Sequence, residues 1–244
     1  MEGLKMSEEF ENEDGKIILP LSSNARLACA LLLDVSGSMR GQAIKCLNET
    51  IHRFKEELLM DSVVRQTVDI SIITFASTVE VISGFTSIVK MPTPTLEAYG
   101  DTEMAKGIQK AIDMVKARTK FYSTCGIRHH KPWIFMITDG AATSSPQEME
   151  DAATRIHMEE EKGSHGHLSF WALAVDNYDP DQLFSLTHRV MELKDQHFTT
   201  IFDWDGMSTM IQSNEDEDER VDFNPLPTNA RKAEKDRAIG DDWS

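Results

Sequence analysis

The run from Leu27 to Leu33 is wholly apolar and stops at Asp34, after which Val35-Ser36-Gly37-Ser38-Met39-Arg40-Gly41 precedes a helical period. A short uninterrupted apolar run of this kind reads as a strand buried on both faces, as in the middle of a parallel sheet. The polar cluster then falls at the strand's carboxyl end, where open α/β sheets bind ligands in the crevice beyond the strand ends. Asp34, Ser36 and Ser38 place three small oxygen-bearing side chains at alternate positions. They can converge on one point if Gly37 lets the turn close tightly. Oxygen-only donors suit a hard cation such as Mg²⁺.

The chain beyond this stretch alternates strands and helices. Ile44, Leu47, Ile51, Phe54 and Leu58 recur three and four apart, the stripe of a helix lying on a sheet. Val68 to Phe75 is the next strand, with Ile70, Ile72 and Phe75 as its apolar positions, and Val79 to Ile82 follows after only three residues. So short a connection rules out a parallel crossover, and Val79 to Ile82 is expected to be antiparallel at the sheet edge. Met91-Pro92-Thr93-Pro94 breaks regular structure. Gly100-Asp101-Thr102 opens a helix whose buried stripe is Met104, Ala105, Ile108, Ala111, Ile112 and Val115.

Trp133 to Ile137 is a further buried strand, ended by Thr138-Asp139-Gly140. Ser145-Pro146-Gln147-Glu148 joins a capping box to a proline at the first helical position, starting a helix that runs to about Glu161. Leu168 to Val175 reads as a strand, Asp179-Pro180-Asp181 starts a short helix through Leu186, and Val190 to Leu193 supplies a last strand. Phe198 to Ile211 is interrupted by Asp203, Asp205 and Gly206 and is expected as two short pieces. The expected architecture is α/β: a doubly wound, mainly parallel sheet with one antiparallel edge strand and helices on both faces. Residues 1–24 are read as an acidic arm, 25–213 as the folded domain and 214–244 as an acidic, disordered tail.

Composition narrows the function classes. A length of 244 residues with 40% hydrophobic content supports one such domain plus tails. The formal net charge of −16 repels phosphate backbones, which argues against nucleic acid as a direct partner. No apolar run approaches the roughly 20 residues of a membrane helix. Met1 to Asp14 is acidic and lacks the order of a secretory leader. Cys29, Cys46 and Cys125 are odd in number and widely spaced, which fits reduced thiols. A cytoplasmic protein without membrane contact is the expectation.

Asp34-Val35-Ser36-Gly37-Ser38 resembles the Asp-x-Ser-x-Ser signature of the metal-ion-dependent adhesion site (MIDAS) of von Willebrand factor A (VWA) domains. That family also uses a threonine from a second loop, usually after two glycines, and an aspartate ending the fourth strand, usually before glycine. The matching positions are Thr102 in Gly100-Asp101-Thr102 and Asp139 in Thr138-Asp139-Gly140. The resemblance covers roughly Arg26 to Ile211, with the three motifs in the family's order. It implies a VWA/Rossmann-like fold and a non-enzymatic, metal-binding protein-interaction module. Ser36, Ser38 and Thr102 would be direct ligands of Mg²⁺, with Mn²⁺ the alternative ion. Asp34 and Asp139 would act through water and orient the hydroxyls, and a Glu or Asp of a protein partner would complete the ion's octahedron.

Arg26 to Met39 and Phe198 to Trp204 most resemble stand-alone bacterial proteins of the tellurium-resistance (TerY-like) type. That implies a stress or defence setting, with a kinase, a phosphatase or a ring-forming AAA+ ATPase as partner. Asp101 stands where relatives have a second glycine. It could face the ion, but the N-cap preference of aspartate makes it the expected cap of the following helix.

Other features favour ordinary structural roles. His129-His130 and His165-Gly166-His167 lack a third ligand at recognisable spacing and read as solvated loops. Ser144 and Ser145 follow Asp139 closely, and capping is the expected role of Ser145. Met104, Met149, Met158, Met207 and Met210 fall mostly at helical spacing and read as core. Two enzymatic alternatives fit less well. A phosphotransferase with Asp34 as nucleophile needs a general acid two residues on, where Ser36 stands. A dinucleotide turn at Gly37 to Gly41 lacks the G-x-G-x-x-G spacing.

Overall fold

The computed structural model describes residues 10–11, 17–18, 25–140, 142–161, 168–175, 178–193 and 230–232. Its centre is β3 (Leu27–Asp34), in which all eight residues are buried. β4 (Val68–Phe75) lies parallel to it on one side and β6 (Trp133–Thr138) parallel on the other. β5 (Val79–Ser87) runs antiparallel to β4 at the edge, as expected from the three-residue connection, and extends further than the Val79 to Ile82 run. β7 (Ser169–Val175) and β8 (Val190–Leu193) continue the parallel arrangement beyond β6. β9 (Ala230–Lys232) closes the opposite edge, antiparallel to β8. The sheet order is therefore β5-β4-β3-β6-β7-β8-β9. A separate antiparallel pair joins β1 (Phe10–Glu11) to β2 (Ile17–Ile18).

Strand alternation divides the core in two. Leu27, Cys29, Leu31 and Leu33 meet Leu47, Ile51, Phe54 and Leu58 of α1 (Gln42–Met60) on one face. Ala30 and Leu32 meet the stripe of α3 (Met104–Thr124) on the other, where α4 (Pro146–Glu161) and α5 (Pro180–Leu186) also pack. Each fully buried Leu or Ile contributes about 1.5–3 kcal/mol, so both helical layers are held chiefly by these side chains. The chain leaves β3 toward β4 on one side and later builds β6, β7 and β8 on the other. The sheet order thus reverses between β3 and β6, and a crevice opens at their carboxyl ends.

Several local expectations are met at the capping side chains. Asp179 accepts from the Gln182 N–H at 3.1 Å and starts α5. Ser145 and Glu148 form the reciprocal capping box: the Ser145 N–H donates to Glu148 Oε2 at 2.9 Å and the Glu148 N–H to Ser145 Oγ at 3.3 Å. Other details differ. α2 (Ser62–Thr67) was not apparent from periodicity because it is a single short segment. Asp61 caps it, accepting from the Val63 and Val64 N–H groups at 2.8 and 3.1 Å. Met104 and Met149 are buried, whereas Met158 is 53% exposed and not a core residue. Ala230–Lys232 forms a strand inside the segment read as a disordered tail. His165 to His167, Met207, Met210 and Phe198 to Ile211 lie outside the described residues.

An ion network ties the opposite, amino-terminal rim of the sheet. Asp69, wholly buried at the start of β4, accepts from Arg26, from Arg118 Nη2 at 2.7 Å and from the Tyr122 hydroxyl. Burial and the Asp69 charge push the Tyr122 phenol above its ordinary range. Removing the carboxylate strands two cations in a poorly hydrated site. Asp69→Ala is therefore expected to cost about 3–5 kcal/mol, measured by urea denaturation, and a loss below about 1 kcal/mol would contradict this account of the rim.

Candidate metal centre

The crevice at the carboxyl ends of β3 and β6 gathers the residues singled out in the sequence. Asp34, the last residue of β3, uses both carboxylate oxygens: Oδ1 accepts from the Ser36 N–H at 2.8 Å and Oδ2 from the Thr138 hydroxyl at 2.6 Å. Burial pushes the Asp34 carboxyl above its usual range, and the charge of Asp139 adds to this. The hydrogen bonds from Ser36 and Thr138 work against it. Ser36 Oγ lies 3.0 Å from Ser38 Oγ, and Ser38 Oγ donates to Asp139 Oδ1 at 2.8 Å. Four of the five expected donors are thus joined in one chain of contacts.

Thr102 reaches the same rim through the backbone. The segment from Tyr99 to Glu103 crosses the crevice and bonds to three loops in turn. Its Tyr99 N–H donates to the Val35 carbonyl at 2.8 Å, and its Gly100 carbonyl accepts from the Gly37 N–H at 3.0 Å. The Asp101 N–H donates to Ser77 Oγ at 2.8 Å and the Glu103 N–H to the Ala76 carbonyl at 2.9 Å, both on the turn between β4 and β5. Thr102 pairs with Thr143, four residues past Asp139: its N–H donates to Thr143 Oγ1 at 2.9 Å and its carbonyl accepts from the Thr143 N–H at 3.0 Å. Thr102 is buried between the loop after β3 and the loop after β6.

The role expected of Asp101 is corrected by this geometry. α3 begins at Met104 with Glu103 in the N-cap position and no side-chain cap of its own. The hydroxyl of Ser144, from the loop after β6, accepts from the Ala105 N–H at 3.2 Å instead. Asp101 is held by its backbone and its side chain is exposed, so it is not the cap. Thr138, Thr143 and Ser77 also support the site and were not identified from sequence. Thr138 could have been, since its side chain at the end of β6 adjoins β3 and faces the buried Asp34.

The donor set fits a small hard cation. Oxygens on adjacent corners of a Mg²⁺ octahedron lie about 2.9 Å apart when metal–oxygen distances are about 2.0–2.1 Å. The 3.0 Å separation of the Ser36 and Ser38 hydroxyls matches that edge, and the 2.8 Å hydrogen bond from Ser38 holds Asp139 beside them. Among the described residues no group of three His, Cys, Asp or Glu side chains is placed to hold a metal. His129 is occupied elsewhere, with Nε2 3.1 Å from Ser123 Oγ and its ring against Tyr122.

The sequence profile of the von Willebrand factor type A domain matches residues 29–141, a span that contains Asp34, Ser36, Ser38, Thr102 and Asp139. Comparison with curated proteins gives no match. Among solved structures the chain is similar to proximal thread matrix protein 1 of the mussel byssus, at 14% identity and a TM-score of 0.52, covering 86% of this chain and 49% of that one. It is also similar to the PilB minor pilin of Streptococcus sanguinis, at 10% identity and a TM-score of 0.53, covering 80% and 63%. The manganese-loaded TRAP protein of Plasmodium vivax matches at 15% identity and a TM-score of 0.47, covering 80% and 75%. The chain spans about half the length of the mussel protein, and likeness at these identities is one of fold. No helix among the described residues is long and apolar enough to cross a membrane.

Gly100 is the residue on which the crossing segment turns. Its φ is +66°, and a Cβ there would lie 2.2 Å from Ser77 Oγ. Gly100→Ala is expected to lose about 1–2 kcal/mol from the backbone conformation alone, with the clash in addition. Equal stability of Gly100→Ala and wild type in thermal denaturation would contradict the described crossing.

Proposed function

We propose that the von Willebrand factor type A domain carried by this chain is a non-enzymatic protein-binding module, which captures a partner's Glu or Asp carboxylate at a divalent ion. Asp34, Ser36, Ser38, Thr102 and Asp139 would hold that ion. The supporting observation is the pair of Ser36 and Ser38 hydroxyls, 3.0 Å apart as adjacent ligands of one small octahedron would be, with Asp139 held against Ser38 by a 2.8 Å hydrogen bond. Mg²⁺ is the ion proposed, with Mn²⁺ the alternative. When bound, such an ion supplies an open position that attracts an outside carboxylate.

The chain's own residues have separable tasks in this scheme. Asp34 orients the loop, because its two oxygens are taken by the Ser36 N–H and the Thr138 hydroxyl and its side chain is wholly buried. The same engagement argues against Asp34 as a phosphotransferase nucleophile, since neither oxygen is presented to solvent. Ser38 is exposed and stands at the mouth, where it can meet an ion and an incoming group. The resemblance of Arg26 to Met39 to tellurium-resistance proteins supports a place in a bacterial stress or defence complex, in the cytoplasm, beside a kinase, phosphatase or AAA+ ATPase.

Because Asp34 is buried and bridges two strands, Asp34→Ala would also lower stability. Ser36→Ala combined with Ser38→Ala is the cleaner variant. Pull-down from a cell extract in Mg²⁺, read by mass spectrometry, is expected to recover partners with wild type and to fall to the EDTA level with the double variant. Recovery of the same proteins by wild type in EDTA, or by the double variant in Mg²⁺, would contradict the metal bridge.

A further inference from the structure

Beside the loop that carries Ser36 and Ser38 stands an exposed aromatic ring whose hydroxyl meets the Glu80 carboxylate. Tyr99 is 37% exposed, and its N–H donates to the Val35 carbonyl at 2.8 Å, which ties it to the residue between Asp34 and Ser36. Its hydroxyl lies 3.1 Å from Thr78 Oγ1 and 3.4 Å from Glu80 Oε1. The ring is therefore held by both ends, by backbone to the candidate centre and by hydroxyl to the turn that starts β5. Glu80 and Asp101 are both exposed, and neither forms an ion pair with a cation among the described residues. Of the nearby cations, Lys106 is engaged by Glu103 at 2.8 Å, and Arg40 reaches toward the Ala98 carbonyl at 3.4 Å.

We infer that Tyr99, with Glu80 and Asp101, selects partners in which the captured carboxylate is flanked by Lys or Arg. An exposed aromatic face attracts a cation, and an adjacent carboxylate strengthens that attraction. A chain of net charge −16 repels an acidic partner as a whole. A partner segment that offers one carboxylate to the centre and a basic side chain to the ring satisfies both constraints. A uniformly acidic segment satisfies only the first. The inference rests on the metal-carboxylate scheme of the preceding subsection and adds the chemistry of the neighbouring partner residue.

The test uses the full chain and immobilised synthetic peptides, each with one central Glu, flanked on either side by Lys, Ser or Glu, probed in Mg²⁺ and in EDTA. Wild type is expected to retain Lys-flanked peptides about fivefold better than Ser-flanked ones, in Mg²⁺ alone. Tyr99→Ala and Glu80→Gln should each reduce that ratio toward one while still retaining Ser-flanked peptides, and Tyr99→Phe should keep most of it because the ring remains. A purely structural role for Tyr99 would weaken all peptides equally and overturn the inference. Mg²⁺-dependent retention with no preference among flanking residues would overturn it too, leaving the metal-carboxylate scheme standing. Retention that is the same in EDTA, or absent for every peptide in Mg²⁺, would contradict that scheme and the inference with it.

Discussion

The hydrogen bond from the Gly37 N–H to the Gly100 carbonyl, 3.0 Å long, holds the candidate site together. It joins the loop that carries Ser36 and Ser38 to the segment that carries Thr102, two stretches more than sixty residues apart in sequence. The approach is so close that a Cβ on residue 37 would lie 3.0 Å from that carbonyl oxygen. Glycine at 37 thus serves backbone contact across the crevice, and glycine at 100 serves a left-handed turn. With both in place the Tyr99 to Glu103 segment pairs the N–H groups of Tyr99, Asp101, Thr102 and Glu103 on three different loops, which offsets the cost of the crossing.

Sheet topology explains why the crossing occurs where it does. Strand order reverses between β3 and β6, so the loops after these strands diverge onto opposite faces and leave a gap at the rim. Asp34 closes the floor of that gap by accepting from Thr138 on the neighbouring strand. The hydroxyls and Asp139 line its mouth. The far rim is organised differently: Asp69 gathers Arg26, Arg118 and Tyr122 into a buried network that stabilises the base of the sheet and presents little to a ligand.

Much of this was legible in the sequence because periodicity and spacing carry it. An apolar run marks β3, the three-residue connection makes β5 antiparallel, and Ser145 and Asp179 announce α4 and α5 through their caps. Four of the five proposed donors could be placed in one cluster from their positions after β3 and β6. The supporting contacts were not legible, since they are tertiary. Nothing near Ala105 reveals that its N–H is served by Ser144, so aspartate's capping preference pointed to Asp101 instead. The Asp69 network is equally silent in sequence, because its members come from three separate segments and an aspartate inside a strand run reads as an interruption. Met158 illustrates the limit of periodicity, which marks a helical face without telling whether anything covers its last turn.

The central claim is that separate loops converge on a single ion through side-chain oxygens. Titration with Mn²⁺, followed by loss of the free ion's electron paramagnetic resonance signal, tests it most directly when wild type is compared with Thr102→Val, a change on the loop farthest in contacts from Ser38. One Mn²⁺ bound per chain, displaced by Mg²⁺ and weakened at least about tenfold by Thr102→Val, is the result this account predicts. Stoichiometric binding indifferent to Thr102→Val would contradict it, as would the absence of any bound ion in wild type.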